Sequence, residues 1–385
     1  MNILKQVSPV PADMSPKKKI CHLIVSLERG GCEMALLRML PYTQEGFEHV
    51  IITLTKPGSL APEFEKKGFP VIALHKGSLI NPLLYFRLRK TVRQINPDLI
   101  VTHLLHADIV GRLFLQYFVK CRLISSLVTT YNSKRYWPAS LFEKITGCLA
   151  QGYMANSQAV KNAYVKRFCV PEKKITVVPC GIDTDLYKNQ PKNSNLRKTL
   201  GVAETDFLII CVANLLINKG HLFLLESFEK FFTKHPEARL LLVGQGPYEE
   251  TIRHQLKNYS SKEAVFLLGK RNDVPELLAT ADTFILATFF EGMSNAIMEA
   301  MASRLPIITT NIEENQELIT DHETGLLCPP GDSAALDTAL EVLFKDSSLR
   351  TSLGQNAALL IEQNYALPQA TSAWTSYYAT MSQPL

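Results

Sequence analysis

The chain has 385 residues, 46% hydrophobic and 20% charged, which excludes a disordered chain and exceeds what one growing core usually holds. No stretch of about 18 apolar residues occurs, so no transmembrane helix is expected. The net charge of +5 is split unevenly: residues 1–190 carry 26 Lys and Arg against 13 Asp and Glu, and residues 191–385 carry 15 against 23. Opposite signs in two halves point to two domains with different partners.

Residues 1–19 read as a flexible leader, because Pro9, Pro11, Asp13 and Pro16 interrupt any signal-type apolar core. Ile20–Val25 is the first expected strand. It runs through the turn Glu28-Arg29-Gly30-Gly31 into a helix over Met34–Leu40. Strands follow at His49–Leu54, Val71–Leu74, Leu99–Thr102, Leu123–Thr129, Gly152–Ala155 and Ile175–Val178, with helices at Pro82–Ile95 and Leu141–Ala150. A polar stretch, Lys188–Lys198, reads as a linker. The second series is Phe207–Ala213, Arg239–Val243, Val265–Leu268, Thr283–Leu286 and Pro306–Thr309. Tyr365–Leu385, with Trp374, Tyr377 and Tyr378, reads as a docking helix.

Apolar strands alternating with helices predict an α/β protein of two Rossmann-like doubly wound domains, 20–187 and 199–364, facing each other across a cleft. The terminal segment, 365–385, is expected to pack back toward the first domain. In such sheets ligands sit outside the carboxyl ends of the strands. Of the eight cysteines none forms a C-x-x-C pair, and several lie in apolar runs. They read as reduced thiols of a cytoplasmic protein, not as disulfides or zinc ligands.

The most informative segment is Glu291-Gly292-Met293-Ser294-Asn295-Ala296-Ile297-Met298-Glu299, between a strand and a helix. A helix N-terminus offers unpaired N–H groups to a phosphate, and Gly292 and Ser294 permit close approach. Two flanking carboxylates suit sugar and ribose hydroxyls. The competing reading makes Glu291 and Ser294 simple helix caps.

The E-x(7)-E spacing resembles that of family 4 glycosyltransferases. Further segments resemble the same family in order: VANLLINKGHLFLLESF (212–228), LLVGQGP (241–247), LGKRNDVPELLATAD (268–282) and Pro306 through Asp332. The resemblance implies the two-domain GT-B fold and a retaining transfer from a nucleotide-sugar without a metal. It implies that Glu291 holds the donor sugar, Glu299 the ribose and Lys219 the diphosphate. Backbone N–H groups of Ser294 and Asn295 would assist, with Gly292 and Met293 in the same loop and Arg271 marking the base-reading loop. Gly30 and Gly31 resemble the family's glycine-rich loop, with Glu33 bracing it, and His103 resembles a histidine beside the transferred sugar. His103, Lys219 and Glu291 are thus the candidate catalytic residues. Two departures stand out: Asn214 replaces a frequent arginine, and Arg304 a frequent glycine.

No cofactor is expected, the UDP- or GDP-linked sugar being a substrate, and no D-x-D metal pattern occurs. The acceptor would be a glycan or a lipid-linked hydroxyl. Nucleic acid is excluded because the basic residues are scattered and no recognition motif accompanies them. Two mixed basic and aromatic runs, Arg112–Lys120 and Lys134-Arg135-Tyr136-Trp137, would suit peripheral contact with an anionic membrane, while the first reads more readily as a buried helix. Rival readings are a UDP-N-acetylglucosamine 2-epimerase on the same architecture and a non-catalytic transferase-like subunit.

Overall fold

The computed structural model describes residues 16–74, 81–129, 137–191 and 193–384. Its first sheet contains β1 (Lys18–Ile24), β2 (Phe47–Thr53), β3 (Val71–Ala73), β4 (Leu99–His103), β5 (Arg122–Leu127), β6 (Gly152–Ala155) and β7 (Ile175–Val177). The second contains β8 (Phe207–Val212), β9 (Ala238–Val243), β10 (Val265–Gly269), β11 (Thr283–Leu286), β12 (Ile307–Thr310) and β13 (Leu326–Cys328). Strand orders are β3-β2-β1-β4-β5-β6-β7 and β10-β9-β8-β11-β12-β13, with neighbours parallel throughout. Apolar runs such as Leu208-Ile209-Ile210 are wholly buried, as a parallel sheet covered on both faces requires.

Strand order reverses between β1 and β4 in one sheet and between β8 and β11 in the other. Those two switch points are where crevices open at the strands' carboxyl ends. The candidate residues follow β1, β4, β8 and β11, so the topology itself brings them toward one cleft.

The chain crosses back at its end. Ile182 bridges Ala366, and the helix Leu367–Met381 buries Leu367, Ala370, Trp374, Tyr377 and Tyr378 in the core that holds Ile20 and Leu99. Trp374 Nε1 donates to the Pro179 carbonyl at 2.9 Å, so the indole is satisfied while its ring is buried.

Two sequence-based expectations need correction. The stretch read as a linker contains a helix, Ser194–Thr199, because Asn193 caps it by accepting from the Leu196 N–H at 3.1 Å. The helix expected from Leu141 begins earlier, at Trp137. The buried-helix reading of its run holds for Arg112. It is fully buried, 2.6 Å from Glu143, and its guanidinium lies 5.1 Å from the Tyr153 ring centroid. A buried guanidinium stands only when paired and hydrogen-bonded, which Glu143, Ser125 and Thr146 provide. Of the other residues of those runs, Leu113 and Tyr117 are exposed, and Lys134, Arg135 and Tyr136 lie outside the described residues.

Candidate active site

A cavity of about 620 Å³ lies between the sheets' carboxyl ends. Gly30, Gly31, Asn214, Lys219, Arg271, Glu291, Met293, Ser294, Asn295 and Glu299 all line it. Each reaches it for a local reason. After β8 the chain makes a short turn, Ile217–Lys219, ended by Gly220 at φ +66°. A Cβ at Gly220 would stand 1.9 Å from the Ala287 carbonyl oxygen, so only glycine lets this turn pack under the end of β11. The Asn218 carbonyl accepts from the Phe289 N–H at 2.8 Å and from the Thr288 hydroxyl at 3.0 Å, fixing the two loops together.

The result is that Lys219 Nζ meets Glu291 Oε1 at 2.5 Å, both side chains mostly buried. Ser294 caps the helix Asn295–Ala302, its hydroxyl accepting from the Ile297 N–H at 3.4 Å. The capping reading therefore holds for Ser294, and it is compatible with a ligand: the same cap orders the helix start that faces the cavity. Glu299, on that helix, hydrogen-bonds the buried Tyr187, and burial pushes its carboxyl up to about 7 despite the nearby Arg38 charge. Burial likewise pushes Glu33, tucked against Gly30, up to about 7. Arg271 is bound in a two-pronged pair with Asp273 at 2.8 and 2.5 Å.

Several contacts cross the cleft. Arg38 Nη2 donates to Asn295 Oδ1 at 2.7 Å, and Asn295 Nδ2 to the Gly31 carbonyl at 3.4 Å. The Gln158 and Ala159 N–H groups, at the start of the helix Gln158–Phe168, donate to the Glu317 carboxylate at 2.9 and 3.1 Å. Gly292 presses on the Val128 backbone and Asn156.

His103 is placed elsewhere. It is buried behind Cys32, beside a void of about 10 Å³ shared with Ser126, Asn156 and Cys180, and it does not line the main cavity. It meets His22, which in turn meets His49; the sequence reading passed over both, as it did Arg38 and Tyr187. The departure at Arg304 has a structural meaning: its φ is +59°, the left-handed conformation that favours glycine.

The profile described as "Glycosyl transferases group 1" matches residues 192–359, and that described as "Glycosyltransferase Family 4" matches residues 30–186. A Bacillus anthracis N-acetyl-alpha-D-glucosaminyl L-malate synthase is 32% identical over 54% of this chain and 54% of its own length. A Campylobacter jejuni N-acetylgalactosaminyltransferase acting on a diphospho-undecaprenol-linked sugar is 23% identical over 88% of this chain and 94% of its own. The match spans about half the length of several other curated relatives. Among solved structures, Anabaena HepE with UDP-glucose superposes with a TM-score of 0.85 at 23% identity, covering 94% of this chain and 99% of that one. That likeness establishes the GT-B fold. With the two profiles lying in order over most of its length, the chain belongs to the group 1, family 4 glycosyltransferases.

Proposed function

We propose that the protein is a retaining, metal-independent glycosyltransferase that moves a sugar from a nucleotide diphosphate to an acceptor hydroxyl in polysaccharide or glycolipid synthesis. The observation that carries this reading is the Lys219–Glu291 pair beside the start of the helix Asn295–Ala302, inside the cavity between the two sheets. An ammonium and a helix N-terminus stabilise the negative charge that develops on a departing diphosphate. Glu291 is then released to accept from donor-sugar hydroxyls, and Glu299 from the ribose. In this mechanism the acceptor enters on the face from which the diphosphate leaves, and a phosphate oxygen takes the acceptor's proton. The C1–O bond to phosphate breaks as the C1–O bond to the acceptor forms, so no side chain of the protein is modified.

UDP and UDP-glucose are ligands of the HepE structures, and several relatives carry names with undecaprenol-linked acceptors. These support a UDP-sugar donor and a lipid-linked acceptor met at the cytoplasmic face of a membrane. A surface suited to such peripheral contact is the helix Pro82–Ile95, where Leu83 and Phe86 are 59% and 68% exposed beside Arg87, Lys90 and Arg93.

The test is a thermal-shift panel of nucleoside diphosphates and nucleotide-sugars with and without EDTA, followed by product analysis. A shift with one nucleotide that survives EDTA, with donor consumed and nucleotide released, supports the reading. Epimerised donor without release would move the chain to the epimerase reading, and binding without turnover to the non-catalytic one.

A further inference from the structure

We propose that Arg38, reaching across the cleft from the first domain, is a phosphate-binding residue of the donor site. Its occupancy by the diphosphate couples nucleotide binding to closure of the two domains. The inference rests on the nucleotide-sugar reading above and adds to it a ligand residue from the opposite domain.

Arg38 lies on the helix Gly31–Met39, seven positions after Gly31, so both residues fall on the same helical face. That face is turned to the start of the helix Asn295–Ala302, and Arg38 lines the cavity together with Lys219, Ser294 and Asn295. A guanidinium facing the positive end of a helix is electrostatically unfavourable unless an anion lies between them.

Two other cations lining the cavity are held in ion pairs, Lys219 by Glu291 and Arg271 by Asp273. Arg38 is not. Its hydrogen bond goes to the neutral amide oxygen of Asn295, and its Nε is buried with no partner among the described residues. The neighbouring acid, Glu299, is engaged with Tyr187, and burial holds its carboxyl at about 7, so it is only part-ionised near neutrality. A guanidinium fork with one unused N–H and a second N–H on an exchangeable amide matches two phosphate oxygens. Entry of a diphosphate would shift Arg38 from Asn295 to phosphate. The first domain would then be tied directly to the ligand held by the second.

The test is calorimetric titration of the whole protein with UDP, UMP and uridine, and with GDP, GMP and guanosine, for wild type, Arg38→Ala, Arg38→Lys and Lys219→Ala. Arg38→Ala should weaken the nucleoside diphosphate about 10-fold or more, the loss of one charge-assisted hydrogen bond, and leave the nucleoside within about twofold. Arg38→Lys should fall between. A second arginine on the facing wall, Asn214→Arg in the Arg38→Ala background, should restore the diphosphate without altering the nucleoside. Equal losses for diphosphate and nucleoside, as a purely structural latch would give, or no loss at all, would overturn the proposal. If Arg38→Ala does not fold, Arg38→Lys, which keeps the charge but loses the planar fork, carries the same comparison of diphosphate against nucleoside. Wild type that binds neither diphosphate would instead remove the transferase reading itself. Loss in Lys219→Ala but not in Arg38→Ala would leave that reading intact and remove Arg38 alone.

Discussion

His22 Nδ1 lies 3.1 Å from His103 Nε2, and the other nitrogen of His22 lies 3.0 Å from His49 Nδ1. One imidazole on β1 thus bridges its neighbours on β4 and β2. The chain continues from His49 Nε2 to the Thr43 hydroxyl at 2.9 Å, which donates onward to the Leu40 carbonyl at 3.0 Å. A carbonyl only accepts, and Thr43 has one proton, so His49 must donate to Thr43 through Nε2. His22 then donates to His49, and His103 to His22. His103 is left with a bare Nδ1, which faces the Cys32 thiol at 3.9 Å. Burial pushes all three imidazoles far below their usual range, His49 and His103 to about 3, so each is neutral.

This arrangement makes the fold acid-labile. A histidine with a depressed folded pKa contributes stability that is present above its unfolded value near 6.5 and is lost as pH falls toward about 3. Between pH 7 and pH 5 each such histidine costs about 2 kcal/mol. His49→Gln, whose amide offers both a donor and an acceptor group, should remove one such increment of about 2 kcal/mol from that loss. Urea midpoints at pH 7 and pH 5 measure it; an unchanged difference between the two pH values would show that His49 is not held neutral.

Lys219 is placed where charge develops on the leaving group. Lys219→Ala should slow transfer at least about 10²-fold, the scale of losing one oxyanion donor, as read from the rate of nucleotide release. The variant also strips Glu291 of its partner at 2.5 Å, so some loss of donor affinity should accompany the loss in rate. A wild-type rate would remove Lys219 from the mechanism.

Most strands were legible because apolar runs bounded by polar turns must be buried parallel strands, and β9 and β11 fall within a residue of where the sequence puts them. The loop from Glu291 to Glu299 stood out through its resemblance to the E-x(7)-E motif; its spacing alone left helix capping as an equal reading, and Ser294 does cap the helix. His22, His49 and Arg38 were not. Each looks alone like an ordinary core or helix-end residue, and what joins them is strand order β2-β1-β4 and the approach of two domains. Neither is written in local spacing. Tyr187 was missed for the same reason: its partner, Glu299, is in the other half of the chain.

Arg304 carries a conformation that its side chain does nothing to reward. At φ +59° a non-glycine residue is strained by about 1 kcal/mol or more, and the Arg304 side chain is exposed. Arg304→Gly relieves the strain but enlarges the unfolded ensemble, which offsets part of the gain. The expected outcome is a rise in unfolding free energy of up to about 1 kcal/mol with turnover unchanged. A fall in stability would mean that the arginine makes a compensating contact.

At Gly292 the two domains meet with no room for a side chain. A Cβ there would stand 2.0 Å from the Val128 carbonyl oxygen and 2.8 Å from its carbonyl carbon, both backbone atoms that no rotamer change can move. Gly292→Ala can therefore be accommodated only by separating the domains. The donor domain should fold as before, since the clash lies outside it. Cross-cleft contacts such as Arg38–Asn295 at 2.7 Å and Gln158–Glu317 at 2.9 Å should loosen together. A displacement of about 1 Å between the halves of a site can cost about 10²-fold. Gly292→Ala should accordingly lower kcat/KM by about that factor with little change in melting temperature. Full activity in Gly292→Ala would mean that catalysis does not need the closed arrangement, and that the contacts across the cleft serve stability alone.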